Sequence, residues 1–125
     1  MELTRQQALA LHRQMWGDML KELGERGKGD EHFIIDARAK FKRKWVEEHF
    51  PGERVNNDCF LCEYAHKTFW NSVNYYPDQM CGYCPIDWGE TYWSGTEYMC
   101  EHGTTQWCFT PISEILALPE REVNT

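Results

Sequence analysis

Between Thr68 and Glu120 the chain contains no lysine and no arginine. The same window carries Asp78, Asp87, Glu90, Glu97, Glu101, Glu114 and Glu120, so it repels a phosphate backbone rather than neutralising one. No apolar run approaches the roughly 18–20 residues needed to cross a bilayer, and no membrane contact is expected. The opening "MELTRQQALALHRQMW" lacks the basic start, apolar run and small-residue cleavage site of a secretory leader. The expected location is therefore the cytoplasm, where thiols stay reduced. Common catalytic templates are also missing: there is no H-E-x-x-H, no G-x-S-x-G and no phosphate loop. A zinc deaminase needs H-x-E followed by P-C-x-x-C, whereas Pro85 here follows the second cysteine pair. His102 beside Glu101 has no second histidine or basic clamp to make a nuclease-like base. A non-enzyme is expected.

What is present is a chain of 125 residues with a net charge of -7, 26% charged residues and a mean hydropathy of -0.70. That length suits one compact domain with a small core. Charge is divided unevenly: residues 1–50 hold ten Lys/Arg against nine Asp/Glu, and residues 51–125 hold three against eleven. The division matches an expected organisation of a helical region over 1–50 and a zinc-binding module over 51–125, packed together as one domain.

The spacing predicts a helix from about Thr4 to Leu23, with Thr4 and Gln7 as a capping box and Leu3 with Ala8 as a staple. Ala8, Leu11, Met15, Met19 and Leu23 form its apolar stripe, widened by Trp16 and Leu20. Gly24 ends it. A second helix is expected over about His32–His49. Ile34, Ala37, Phe41 and Trp45 lie on one side, and Arg38, Lys40, Lys42, Arg43 and Lys44 on the other. After Cys62, "EYAHKTFW" reads as a short helix with Tyr64, Ala65 and Phe69 inward. Tyr75 to Phe109 reads as short strands and turns. "TPISEILALP" reads as a closing helix with Thr110 at its cap, Pro111 at its first position and Pro119 as its stop. His12, His32 and His49 read as surface or edge residues. The expected fold class is a small α+β protein: two N-terminal helices, an irregular zinc-knuckle module of the zinc-ribbon or treble-clef kind, and a short C-terminal helix.

The chemistry lies in the cysteines. Cys59-x-x-Cys62 and Cys81-x-x-Cys84 have the spacing of a structural four-cysteine zinc site. Two intervening residues let one tight turn aim both sulfurs at a single ion, and Gly82 relieves crowding at the second turn. Two such turns complete a tetrahedron. Zinc is the expected cofactor, with disulfides, buried thiols or an iron–sulfur cluster as the competing uses of the same cysteines. Cys100, His102 and Cys108 in "CEHGTTQWC" are candidates for a second metal, with His66 as a possible fourth donor; they can equally exchange with one of the first four or be buried.

"ALALHRQMW", "NNDCFLCEYA" and "CGYCPIDWG" together resemble a group of small zinc-binding proteins encoded by bacteriophages of Gram-positive bacteria. The resemblance covers roughly Leu3–Leu23 and Asn57–Gly89. It implies Cys59, Cys62, Cys81 and Cys84 as ligands, with Cys100 as a further candidate, and a setting in which small phage proteins bind host machinery in the host cytoplasm.

The expected function is a non-enzymatic, zinc-stabilised protein-binding module. Inhibition of a host nuclease or another nucleic-acid-handling defence complex is its candidate role. The window from Thr68 to Glu120 combines its acids with eleven aromatics, a pairing suited to a basic groove on a protein. Asp78, Asp87, Glu90, Tyr92, Trp93, Glu97 and Glu101 are the candidate contacts. The bland alternative is that Trp70, Trp88, Trp93 and Trp107 fill a core poor in aliphatics. A second function is a nucleic-acid-binding zinc protein using the basic helix 38–44, against which stands the plain reading of a solvated charged face.

Overall fold

Thr4 starts the first helix as its side chain requires. Its backbone is extended, its hydroxyl accepts the Gln7 N–H at 3.1 Å, and the Gln7 side chain accepts the Thr4 N–H at 2.8 Å. This capping box satisfies two donors that the first turn leaves without helical partners. Helix α1 then runs Arg5–Leu23 and stops at Gly24, whose φ of 76° favours glycine. The computed structural model describes residues 1–25, 31–70, 84–89, 105–108 and 110–121. Within them α2 spans Glu31–His49, a short 3-10 turn spans Asn56–Asp58, α3 spans Phe60–Trp70, and α4 spans Ile112–Leu116.

The expected α+β fold is not what forms. Of the described residues 62% are helical, in four helices, and no sheet is present. The one extended pairing is an antiparallel bridge between Ile86 and Glu120. The zinc-ribbon expectation fails for a local reason. Cys62 does not sit in a free-standing knuckle but in the first turn of α3, which begins at Phe60 rather than after Cys62. Gly- and aromatic-rich composition pointed to strands, yet the described irregular pieces are held by isolated backbone bonds and by side-chain donors and acceptors instead of a ladder.

Three examples show this. The Arg38 guanidinium donates to the carbonyls of Trp107 (2.7 Å) and Glu25 (3.1 Å). Arg121 donates from its side chain to Cys84 O at 2.9 Å and from its backbone to Pro85 O at 2.7 Å. Glu25 caps α4 from across the molecule: its carboxylate accepts Ser113 N–H and Oγ–H at 3.0 and 2.8 Å, and its carbonyl accepts Ile112 N–H at 2.9 Å. Pro111, not Thr110, is the residue at the cap of α4, and it has no side-chain acceptor to offer. The Thr110 hydroxyl accepts the Gln106 N–H instead, at 2.9 Å.

One hydrophobic cluster joins the elements. Leu9, Met15, Trp16 and Met19 of α1 pack with Trp45 and Val46 of α2, Phe60 and Leu61 of α3, Ile86 and Trp88, and Ile112 and Ile115 of α4. Aromatic edges do much of the filling: Trp45 meets Phe60 edge-on at 5.6 Å, and Phe60 meets Phe50 at 5.7 Å. Such pairs contribute beyond their buried area. The indole N–H of Trp45 donates to Asp18 at 2.8 Å, so the ring's polar edge is satisfied as well. Among the described residues no helix is long and apolar enough to cross a membrane.

The second helix corrects the charge reading. Its buried side includes Ile34, Arg38, Lys42, Trp45 and Val46, and Arg38 and Lys42 lie one turn apart on that side. The basic run 38–44 is therefore not one exposed face. Lys40, Arg43 and Lys44 point outward, and the last two sit near Asp58 (3.9 Å) and Glu48 (3.8 Å). His12 is also misread by sequence: it is buried, with 1% exposure, on the inner side of α1.

Because Arg38 satisfies two carbonyls with no access to water, Arg38→Met should destabilise the fold by roughly 2–4 kcal/mol. Urea unfolding checks this. The midpoint should fall at an unchanged slope, whereas a midpoint within error of wild type would make the two bonds energetically idle.

Candidate metal centre

The turn "NND" sets the first cysteine. Asn57 and Asp58 both take left-handed backbone conformations, φ 55° and 49°, which Asn and Asp tolerate better than other side-chain-bearing residues. The chain reverses there and enters α3. Cys59 stands just ahead of the helix, with its carbonyl accepting the Glu63 N–H at 3.0 Å. Cys62 follows one turn later on the same side.

This position shapes the Cys59 sulfur. Its pKa falls from the ordinary 9.0 to about 6. The largest cause is a hydrogen bond from the Cys62 thiol; burial opposes it, and the Lys42 ammonium and the N–H groups of Cys62 and Leu61 reinforce it. The head of a helix thus presents its amides to a thiolate. Cys84 responds in the opposite sense. Burial pushes its thiol up to about 12, and the negative charge of Cys59 pushes the same way. The Ile86 N–H, the Trp88 side chain and Arg121 oppose the rise. Cys59 and Cys84 are free thiols.

Cys59, Cys62 and Cys84, from two segments of chain, thus act on one another. The donor chemistry fits zinc, which binds thiolates and selects for soft sulfur ligands. Among the described residues, however, no group of three or more His, Cys, Asp or Glu is close enough to hold an ion. Cys81, the fourth expected ligand, lies outside the described residues. So do Cys100 and His102 of the second candidate site; Cys108 is half-buried beside Trp107, and His66 is half-buried on α3.

Cys59 and Cys62, but not Cys84, line a cleft of about 250 Å³ whose other walls include Trp16, Lys42, Asp58, Trp88 and Trp107. Trp88 is 3% exposed and belongs to the core, and Trp107 packs against that core. For these two the core-filling alternative holds. Of the proposed partner contacts, only Asp87 falls among the described residues. It is exposed, and its carboxylate accepts the Gly89 N–H at 2.9 Å. Asp78, Glu90, Tyr92, Trp93, Glu97 and Glu101 lie outside them.

Sequence reasoning missed two residues of this neighbourhood. Lys42 was read as part of an outward basic face, and only the three-dimensional packing of α2 turns it toward the cysteines. His12 stacks no polar partner either: it meets Trp16 at 6.2 Å and Trp88 at 6.4 Å, and neither ring nitrogen has a hydrogen-bond partner among the described residues. Its position in the first-helix stripe, one residue after Leu11, was the available signal. No protein-family model, curated protein or solved structure matches the chain.

Burial, with the Arg13 and Lys42 charges behind it, lowers the His12 pKa from 6.5 to about 3. The folded protein therefore holds His12 neutral while the unfolded chain takes up a proton below pH 6.5. The contribution is present above pH 6.5 and is lost as pH falls toward 3, at a limiting slope of about 1.4 kcal/mol per pH unit. Glu120, which is held below its ordinary 4.5 first by its hydrogen bond from Arg13, titrates lower. Comparing His12→Leu with wild type between pH 6.5 and 4.5 should show the variant losing less stability on acidification. Parallel curves over that range would contradict it.

Proposed function

We propose that this protein is a non-enzymatic, zinc-stabilised protein-binding module. The observation that supports it best is the Cys59 sulfur, held toward thiolate at the head of α3 with Cys62 in hydrogen-bond reach and Cys84 responding to its charge. Cys59, Cys62 and Cys84, with Cys81 from the same segment as Cys84, would hold the ion. Four thiolates close a tetrahedron and leave no position for a substrate, so the metal's contribution is structural. Binding free energies of such sites are on the order of 10–16 kcal/mol, enough to hold the segment around Cys84 against α3.

The partner we propose is a host protein with a basic groove, such as one that handles nucleic acid, and the cytoplasm of the host is the setting. The support is charge and rigidity. Residues 68–120 carry seven acids and no Lys or Arg, and Asp87, three residues after Cys84, is exposed. A metal-anchored loop presents side chains with little ordering cost on binding. The inward placement of Arg38 and Lys42 weighs against the alternative of a nucleic-acid-binding basic helix.

Elemental analysis of protein purified without added metal should give one zinc per chain; a value near zero with the cysteines in disulfides would sink the zinc site. A value near two would bring in Cys100, His102 and Cys108. Affinity capture from host lysate, with and without nuclease, tests the partner. Glu90→Lys with Glu97→Lys should weaken capture, mainly through slower association, while Lys40→Glu, Arg43→Glu and Lys44→Glu together should matter little. Retention of nucleic acid that depends on these three cations would hand the function to the alternative.

A further inference from the structure

Cys59 and Cys62 meet one another at the head of α3. The Cys59 carbonyl accepts the Glu63 N–H at 3.0 Å, so the segment from Cys59 to Cys62 already follows a helical turn. Residues three apart in such a turn have Cα atoms about 5 Å from one another, inside the roughly 4.4–6.8 Å that a disulfide spans. The sulfurs are close as well, since the Cys62 thiol donates a hydrogen bond to the Cys59 sulfur. Both side chains are half-buried thiols, and both line the cleft of about 250 Å³. At about 30 Å³ for each water molecule, that space admits a small solute. Cys84 differs on both counts: it is 8% exposed and does not line the cleft.

We propose that Cys59 and Cys62 form a site of reversible oxidation, a dithiol that a small hydroperoxide entering the cleft converts to a disulfide. The hydrogen bond divides the roles: Cys59, the acceptor, is the attacking sulfur, and Cys62, which keeps its proton, is the resolving one. The Cys59 sulfur, its own proton lost to solvent, attacks one oxygen of the peroxide. The O–O bond breaks, a sulfenic acid forms, and the hydroxide that leaves is protonated to water. The Cys62 sulfur then attacks the Cys59 sulfur, the S–O bond breaks, and hydroxide leaves with the Cys62 proton as a second water. Two thiols have lost two electrons and two protons, and the peroxide has become two waters. Lys42 supports the first step. It is 6% exposed on the wall of the same cleft, with its ammonium 4.4 Å from the centroid of the Trp107 ring, so a positive charge stands in a poorly hydrated place as hydroxide departs. Because the turn already has the spacing of a disulfide, closure leaves α3 intact, and a thiol reductant reopens it by exchange. No ion takes part in these steps; zinc on the same sulfurs would compete with them.

The test uses the full chain, reduced and then freed of reductant, with its zinc content recorded at the start. Hydrogen peroxide is added in slight excess, remaining thiols are alkylated, and the product is mapped by peptide mass spectrometry without reduction. A Cys59–Cys62 crosslink that dithiothreitol reverses is the expected result, with Cys84 still alkylated. Cys62→Ser should lose the crosslink and leave Cys59 as a sulfenic acid that dimedone traps, and Cys59→Ser should leave Cys62 alkylated. A wild type in which both sulfurs remain alkylated, or in which either is linked to another cysteine, overturns the site, and this holds even where a variant loses its helices. The crosslink should form more slowly in chain unfolded by urea; an equal or higher rate there overturns a site built by the fold. Zinc is decided separately. One zinc per chain, lost as the crosslink forms, supports both the zinc site and the dithiol. A crosslink without zinc at the start sinks the zinc site alone, and one zinc with no crosslink sinks the dithiol alone.

Discussion

A guanidinium without access to water has to find its hydrogen bonds inside the protein, and Arg38 finds them at the carbonyls of Glu25 and Trp107. Three parts of the chain meet there: the end of α1, the middle of α2 and the segment leading to α4. The indole of Trp16 lies 5.8 Å from the guanidinium carbon and covers it from the core side. Glu25, fixed through its carbonyl, then uses its carboxylate to cap α4. A helix of five residues cannot sustain itself in water. It persists here because its donors and its Ile112 and Ile115 are satisfied by residues far away in sequence.

A second arginine system does for Cys84 what Arg38 does for α4. The chain ahead of Ile86 is drawn to the chain around Glu120 by one bridge and by backbone bonds from Asp87 to Pro119 and from Arg121 to Pro85. Arg5 donates to Pro85 O and Arg121 O, and Arg5 and Arg13 flank the Glu120 carboxylate. The result seats both strands of this short pairing on α1. Cys84 is thereby positioned from its own backbone carbonyl, which accepts from Arg121, before any metal is considered.

These engagements change the meaning of the net charge. Arg5, Arg13, Arg38 and Lys42 are used within the fold, against carbonyls, one carboxylate and two tryptophans. Of these, Arg38 and Lys42 are turned inward, so the surface available to a partner is more acidic than a count of -7 conveys. Steering of a basic partner depends on that outer field rather than on the total. The same inward turn places the Lys42 ammonium on the cleft that Cys59 and Cys62 line, where its charge favours the thiolate form of Cys59.

Local rules carried by the sequence determined the first helix almost to the residue. Thr4, Gln7 and Gly24 act on neighbours within a turn, so their effect does not depend on the rest of the chain. The C-x-x-C spacing likewise put Cys59 and Cys62 one turn apart at the head of α3, because that reach is local, whereas the approach of Cys84 depends on tertiary structure. What sequence could not determine was which side of α2 would be buried: a five-cation run reads as solvated, and only the carbonyls of Glu25 and Trp107 and the ring of Trp107 make burial of Arg38 and Lys42 tolerable. The same holds for the absence of a sheet among the described residues. Aromatic, glycine-rich segments have strand character by composition, but in the described piece around Ile86 the backbone pairs through a single bridge and a few backbone bonds, and Arg5 and Arg121 take the carbonyls of Pro85 and Cys84. Helix caps are local decisions, and the fate of a buried charge belongs to tertiary structure, because its partners come from anywhere in the chain.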